Sequence, residues 1–182
     1  MRTQTKYRKN LKPVFYKKEK NTSVHSLIDD LQSKDGLLRQ SAREKLVSMG
    51  RGVIPYLEDL IKNPDTTLRW EAIKALGHIA DPGSAPLLIY ALYDKDEDVR
   101  WVAAEGLIAI GANAMKPLLD ELIKNPESFF LRKGAHHYFA VLHEYREYPE
   151  LIDLITALHG PDAKIHTPVA AVNMLKALHR IR

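Results

Sequence analysis

The chain has 182 residues, of which 45% are hydrophobic and 27% are charged, a composition typical of one folded domain. It contains no cysteine, which excludes disulfide bonds, a thiolate nucleophile and cysteine-ligated zinc or iron–sulfur centres. Its longest weakly polar stretch, 101–115, is shorter than the roughly 20 apolar residues that span a bilayer. With no secretion signal in the sequence, we expect no membrane span and a cytoplasmic location.

Residues 1–20 come first in chain order, and we predict that they form a flexible basic arm. Their charge is +7, which leaves −3 for residues 21–182 out of the total of +4. Aromatic residues lie among the charges, a combination that suits contact with RNA, DNA or a ribosome. A solvated tail, a segment folded over the first repeat and a mitochondrial presequence are alternatives. The basic residues of the arm are Arg2, Lys6, Arg8, Lys9, Lys12, Lys17, Lys18 and Lys20.

A repeat with a period of 30 to 32 residues follows the arm. Each unit has a Leu-Arg or Val-Arg pair, an alanine three residues after the arginine, and large apolar residues at +7 and +10. This spacing places one apolar stripe along an α-helix. The stripes are Leu38, Ala42, Leu46 and Met49; Leu68, Ala72, Leu76 and Ile79; Val99, Ala103, Leu107 and Ile110; Leu131, Ala135, Phe139 and Leu142.

A second amphipathic helix precedes most of these stripes, and a proline marks its first turn. Proline suits this position because the missing N–H would have no helical partner there. Polar turns at 62–65, 94–98 and 124–127 join the two helices of a unit. A longer loop at 159–167 breaks the period, and we expect a last helix from Pro168 onward. The prolines are Pro55, Pro86, Pro117 and Pro149, and the predicted units lie near 24–50, 53–81, 84–112, 115–143 and 149–182, the last with an irregular C-terminal cap.

The segments 68–81 (LRWEAIKALGHIAD) and 99–111 (VRWVAAEGLIAIG) carry a resemblance that extends over roughly residues 24–158. They look like HEAT repeats in the short form found in PBS-lyase-like proteins. The resemblance implies an all-α fold, a right-handed α-solenoid (superhelix) of about four to five HEAT-like helix pairs over residues 21–182. It leaves function open, because such solenoids serve adaptors, karyopherin-like receptors, bilin lyases, deoxyhypusine hydroxylase and certain DNA glycosylases.

In HEAT-like folds the acidic turn residue and the arginine that opens the second helix usually form a ladder of ion pairs between units. The resemblance therefore implies a structural role for the repeated charges of this chain. Presentation of the four arginines to a polyanion is the alternative. The predicted ladder consists of Arg39, Asp65, Arg69, Asp96, Arg100, Glu127 and Arg132.

Opposite the apolar stripes, positions +1 and +5 from each arginine share a face of the second helix. In the resembled fold this face lines the concave surface. Trp70 and Trp101 lie there on adjacent units, and large rigid rings flanked by charges are good anchors for a partner. Packing of each indole across the neighbouring unit is the alternative. The predicted concave strip consists of Gln40, Glu44, Trp70, Lys74, Trp101, Glu105, Lys133 and His137.

Residues that could carry chemistry do not form a recognised motif. His136, His137 and His143 fall around one predicted helix, but they do not supply a ligand set on one face, so we predict no metal and no cofactor. The His-Glu dipeptide, which recurs on several repeats of deoxyhypusine hydroxylase, occurs once, at 143–144. There is no glycine-rich phosphate loop and no nucleophile elbow. We name no catalytic residue.

These patterns favour a monomeric, non-catalytic scaffold or adaptor that binds a protein partner on the concave strip. The alternative is a nucleic-acid or ribonucleoprotein binder that uses the basic arm, and a steep loss of affinity with salt would indicate it. A bilin-lyase-like or DNA-glycosylase-like enzyme is a third hypothesis, in which Trp70, Trp101 and Glu105 would line a glycosylase site. The charge of −3 outside the arm argues against unaided wrapping of a duplex.

Overall fold

The structure is a computed structural model that describes residues 23–145 and 149–180, so the basic arm lies outside the described residues. Within these ranges the regular structure is entirely helical, and the prediction of an all-α solenoid is confirmed. Short 3-10 helices at Gly50–Val53, Pro82–Ser84 and Gly111–Ala114 link successive helix pairs. The α-helices are α1 (Val24–Asp30), α2 (Gly36–Ser48), α3 (Ile54–Leu60), α4 (Thr66–Ile79), α5 (Ala85–Ala91), α6 (Glu97–Ile110), α7 (Met115–Lys124), α8 (Phe129–Tyr145), α9 (Pro149–His159) and α10 (Ala163–Arg180).

Helices α2, α4 and α6 each begin after an aspartate that caps their free backbone amides. Asp35 accepts a hydrogen bond from the amide of Leu37 at 2.9 Å, and Asp65 accepts one from Thr67 at 2.7 Å. Asp96 caps α6 in the same way. Because the first amides of a helix have no helical acceptor, each cap stabilises the helix start and fixes where the chain turns between the two helices of a unit.

The second helices of the units, α2, α4, α6 and α8, stack side by side and form one layer of the solenoid. Within each of the first three units the two helices pack against each other, and the apolar stripes meet in one continuous core. Leu76, Leu107 and Phe139 are fully buried in this core. The central residues of each stripe are therefore buried between neighbouring units, as the repeat period predicts.

The stripe of the first unit departs from this pattern at both ends. Leu38 is 41% exposed, whereas the equivalent Leu68 is 3% exposed and Val99 is fully buried. Met49 is 43% exposed. The reason is the position of the unit, because within the described residues no earlier unit covers this end of the solenoid.

The expected loop at 159–167 and helix start at Pro168 are wrong. Helix α10 begins at Ala163, and Pro168 lies inside it. The hydroxyl of Thr167, which is fully buried, donates to the carbonyl of Ala157 at 3.2 Å and fastens this turn to α9. Proline removes one helical hydrogen bond, and the packed face around it maintains the helix. Helix α10 packs on α9 and on α7, the first helix of the previous unit, whereas α9 packs on α8, the second helix of that unit. In the last pair the first and second helices have therefore exchanged the layers that they occupy in the earlier units.

The segment Glu97–Lys124 is long and apolar enough, by length and composition, to cross a membrane, since an 18-residue stretch of it has a mean hydropathy of 1.2. Half of that stretch is buried inside the fold. The 3-10 helix Gly111–Ala114 divides the segment into α6 and α7, which belong to different units. Core helices of soluble proteins pass the same test, so we interpret the segment as core.

All four repeat arginines bind the turn that precedes their own helix. Each guanidinium donates to the backbone carbonyl six residues earlier. Three of them also reach the next unit: Arg39 pairs with Glu71 at 3.1 Å, Arg69 pairs with Asp94 at 2.7 Å, and the guanidinium of Arg100 lies 4.1 Å from the ring centroid of Phe130. Arg39, Arg69 and Arg100 therefore join their turns to the neighbouring unit.

The acidic members of the predicted ladder need a correction. Asp65 and Asp96 cap helices α4 and α6, and Glu127 is exposed at the turn before α8. The residue that holds Arg69 is Asp94, through both carboxylate oxygens at 2.7 and 2.9 Å. Asp94 also accepts a hydrogen bond from the amide of Asp96 at 2.9 Å, which holds its carboxylate in the turn where it faces the arginine of the previous unit.

Substitution of Asp94 by asparagine is expected to lower the melting temperature at pH 7 and to have a smaller effect at pH 2.5. Burial raises the pKa of the Asp94 carboxyl, but hydrogen bonds from Arg69 and the Asp96 amide outweigh burial and hold the pKa below its ordinary value. Such a carboxyl stabilises the fold above its unfolded pKa, near 4, and this contribution is lost as the pH falls through the folded value. Thermal melts of both proteins at the two pH values test this, with the exposed Asp59→Asn as control. An equal difference at both pH values would contradict it.

Candidate partner-binding groove

An open groove of about 740 Å³ lies between α4 and α6. Both walls come from second helices of adjacent units, and both tryptophans of the chain line it. We call it the interhelical groove. Its lining residues are Trp70, Lys74, Gly77, His78, Asp98, Trp101, Val102, Glu105, Gly106 and Ala109.

The floor of the groove is formed where the backbones of α4 and α6 touch. A Cβ atom added at Gly77 would lie 2.8 Å from the Cα of Gly106, closer than side chains approach backbone in real structures. A Cβ at Gly106 would meet Leu88 at 3.0 Å. Glycine inside a helix costs about 1 kcal/mol relative to alanine, so these glycines indicate a close helix contact. That contact sets the width of the groove.

The α4 wall carries Trp70, whose ring has two cations near it. Its indole is half-buried, with the Nζ of Lys74 4.5 Å and the guanidinium of Arg43 5.6 Å from the ring centroid. Both distances are within the range of cation–π attraction. Burial lowers the pKa of His78, and the charges of Arg43 and Lys74 lower it further, so this imidazole is neutral at pH 7. Lys74 therefore supplies the positive charge of this wall.

The α6 wall carries Trp101, whose side chain is 55% exposed. The imidazole of His137 on α8 stacks on its ring at 4.5 Å, and the Nε2 of His137 lies 2.6 Å from a carboxylate oxygen of Glu105. An ion pair between Lys133 and Glu97, at 2.7 Å, joins the same two helices. Because His137 covers the α8 side of the indole, the ring is held in place with its other side toward the groove.

The structure brings part of the predicted concave strip together. Trp70, Lys74, Trp101 and Glu105 line the groove, and Lys133 and His137 support its α6 wall from α8. The sequence left open whether the indole packs across the neighbouring unit or is exposed as an anchor for a partner. Trp101 does both, since it contacts His137 of the next unit and is also exposed. The members on α2 lie elsewhere, where Gln40 donates to Glu44 at 2.9 Å and neither lines the groove.

A buried ion-pair cluster behind Trp70 was not predicted. Glu71, which is 3% exposed, binds Arg43 through one carboxylate oxygen and Arg39 through the other. Arg43 is itself 8% exposed and also lies over the Trp70 ring. The cluster therefore joins α2 to α4 and fixes the back of the groove. The signal in the sequence was the position of Glu71 directly before the stripe residue Ala72. A charged residue at that position also fits an exposed helix face, so the sequence did not identify the cluster.

The described residues contain no group of three or more His, Asp or Glu side chains arranged to hold a metal ion. The histidines considered as ligands have other neighbours. His136 packs against His159 with ring centroids 3.6 Å apart, and His137 binds Glu105. The groove offers aromatic rings and charged side chains that can contact a ligand.

A family model described as HEAT repeats matches residues 24–107 and 54–139, and the two matches together cover more than half of the chain. The chain is a HEAT-repeat protein. The resemblance seen in the sequence is thereby confirmed, and HEAT repeats in general indicate a protein-interaction scaffold. No curated protein matches this HEAT-repeat protein.

Proposed function

We propose that this HEAT-repeat protein is a non-catalytic scaffold that binds a protein partner in the interhelical groove. The observation that carries the proposal is Trp101, an exposed indole held in place by a stacked histidine at the edge of an open groove. Aromatic anchors of this kind contribute much of the energy in protein interfaces. We also propose a cytoplasmic monomer without a resident cofactor.

The gap between α4 and α6 suits a partner better than the next gap along the solenoid. The Lys133–Glu97 ion pair, the His137–Glu105 hydrogen bond and the ring stack bridge α6 and α8, so a ligand there would have to displace them. Between α4 and α6, no ion pair is found among the described residues, and the surface above the glycine contact is open. A ring that is already ordered loses little rotamer freedom on binding, which favours affinity.

Trp101→Ala is expected to weaken partner capture by about tenfold or more, because removal of a central aromatic anchor typically costs at least about 2 kcal/mol of binding. The free energy of unfolding should change by less than about 1 kcal/mol, since the side chain is more exposed than buried. The measurement is quantitative capture with purified bait from nuclease-treated lysate, followed by denaturant unfolding of each bait.

Tyr90→Ala is the matched control, because Tyr90 is 53% exposed on α5 and does not line the groove. It should retain the partner. Retention of the partner by Trp101→Ala would refute binding at the groove. Loss of the captured material on nuclease treatment would instead support the alternative of a nucleic-acid binder that acts through the basic arm.

A further inference from the structure

The exposed face of α6 is acidic on both sides of Trp101. Asp98 precedes the indole by three residues and Glu105 follows it by four, so all three side chains lie on one helix face, a turn apart. All three line the interhelical groove. The geometry thus places one carboxylate on each side of an aromatic ring along the same wall.

These carboxylates retain capacity for a ligand. Asp98 is exposed and has no ion-pair partner among the described residues. Glu105 is half-exposed and contacts His137 through Oε1. One side of the Trp101 ring is covered by His137, and the side toward α4 borders the groove. A cation on the open side of the ring would contact its face, a favourable arrangement for cation–π binding, and Asp98 and Glu105 line the same wall one turn away on either side.

The charges of the α4 wall do not offset the attraction of the α6 wall for a cation. Its charged residue is Lys74, whose Nζ already lies over the Trp70 ring, and its histidine is neutral at pH 7. At neutral pH the lining residues therefore carry two carboxylates against one ammonium group. Complementarity of charge favours a positive group in the partner on the α6 side.

We propose that the partner segment inserts an arginine or lysine side chain onto the open side of Trp101, between Asp98 and Glu105. The proposal rests on the proposed function and deepens it, since it assigns the chemistry that the groove recognises: a basic residue in a protein segment that lies between α4 and α6. Lys74, on the opposite wall, is then placed to meet a carboxylate or a backbone carbonyl of the same segment.

The test uses the full chain with 15N-labelled tryptophan and three nine-residue peptides of glycine and serine. The central residue of the peptide is arginine, its neutral isostere citrulline, or glutamate. The two indole N–H signals are assigned with Trp70→Phe. The arginine peptide is expected to shift the Trp101 signal in a saturable way, and the citrulline peptide to bind about tenfold more weakly, because both the ring and the carboxylates favour the charge.

Asp98→Asn and Glu105→Gln are each expected to weaken binding of the arginine peptide by about threefold. Asp59→Asn is the matched control, because it also removes one carboxylate but lies exposed on α3 and does not line the groove. Equal binding of arginine and citrulline, tighter binding of the glutamate peptide, or no saturable shift with any of the three would overturn the proposal.

The outcome for the proposed function is separate. If the captured partner is lost with Trp101→Ala but fully retained by Asp98→Asn/Glu105→Gln, the groove binds a partner and the assigned chemistry is wrong. If Trp101→Ala retains the partner, the proposed function itself fails.

Discussion

Replacement of Glu71 with alanine is expected to lower the free energy of unfolding by about 3–5 kcal/mol. The carboxylate is 3% exposed and binds both Arg43 and Arg39. Without it, the guanidinium of Arg43, which is 8% exposed, would be buried with no opposite charge. Removal of one partner from a buried ion pair costs this much because the remaining charge has lost its water without compensation.

Urea denaturation measures the effect, and Glu97→Ala is the matched control. Glu97 also forms an ion pair between units, with Lys133, but its side chain is 70% exposed. Exposed pairs contribute between zero and about 1 kcal/mol, so this variant should be close to the wild type. Similar losses for the two variants would show that burial of the Glu71 cluster does not matter to stability. Capture by Glu71→Ala should also weaken, because Arg43 and Trp70 share the back of the groove.

Gly77→Ala is expected to destabilise the fold by about 1–3 kcal/mol, although alanine is intrinsically the better helix former by about 1 kcal/mol. The added methyl would lie 2.8 Å from the Cα of Gly106, and backbone cannot move away without separation of α4 from α6. Gly52→Ala is the control, since a Cβ at Gly52 meets nothing within 4 Å. Thermal and urea unfolding of both variants measure the contrast. A Gly77→Ala protein as stable as the Gly52→Ala protein would show that the helices are not in close contact.

The pattern of apolar residues made the solenoid predictable, because the period and the stripes depend on local helix geometry and on burial between units. Leu76, Leu107 and Phe139 are buried as their positions indicate. The ends were harder to predict. Leu38 has the same position in its unit as Leu68, yet it is exposed because no unit precedes it among the described residues. Pro168 has the sequence signature of a helix start, but neighbouring packing holds the helix through it.

The candidate site was predictable only in part, for a physical reason. Positions +1 and +5 identify which side chains leave the core, and they found Trp70, Lys74, Trp101 and Glu105. They do not specify the distance between two adjacent helices. That distance depends on a three-dimensional contact between Gly77 and Gly106, which lie at different offsets from their arginines. Likewise, charge patterns did not distinguish a buried acid from an exposed one.

The central claim, that this HEAT-repeat protein binds a protein in the groove between α4 and α6, is tested most directly by site-specific photocrosslinking. A benzophenone amino acid is placed at Ala109, an exposed residue of the groove lining, or at Tyr90 on α5. In nuclease-treated lysate, the protein with the probe at 109 should form a covalent adduct with one defined protein, and the protein with the probe at 90 should not. An adduct from position 90 with none from position 109 would contradict the claim.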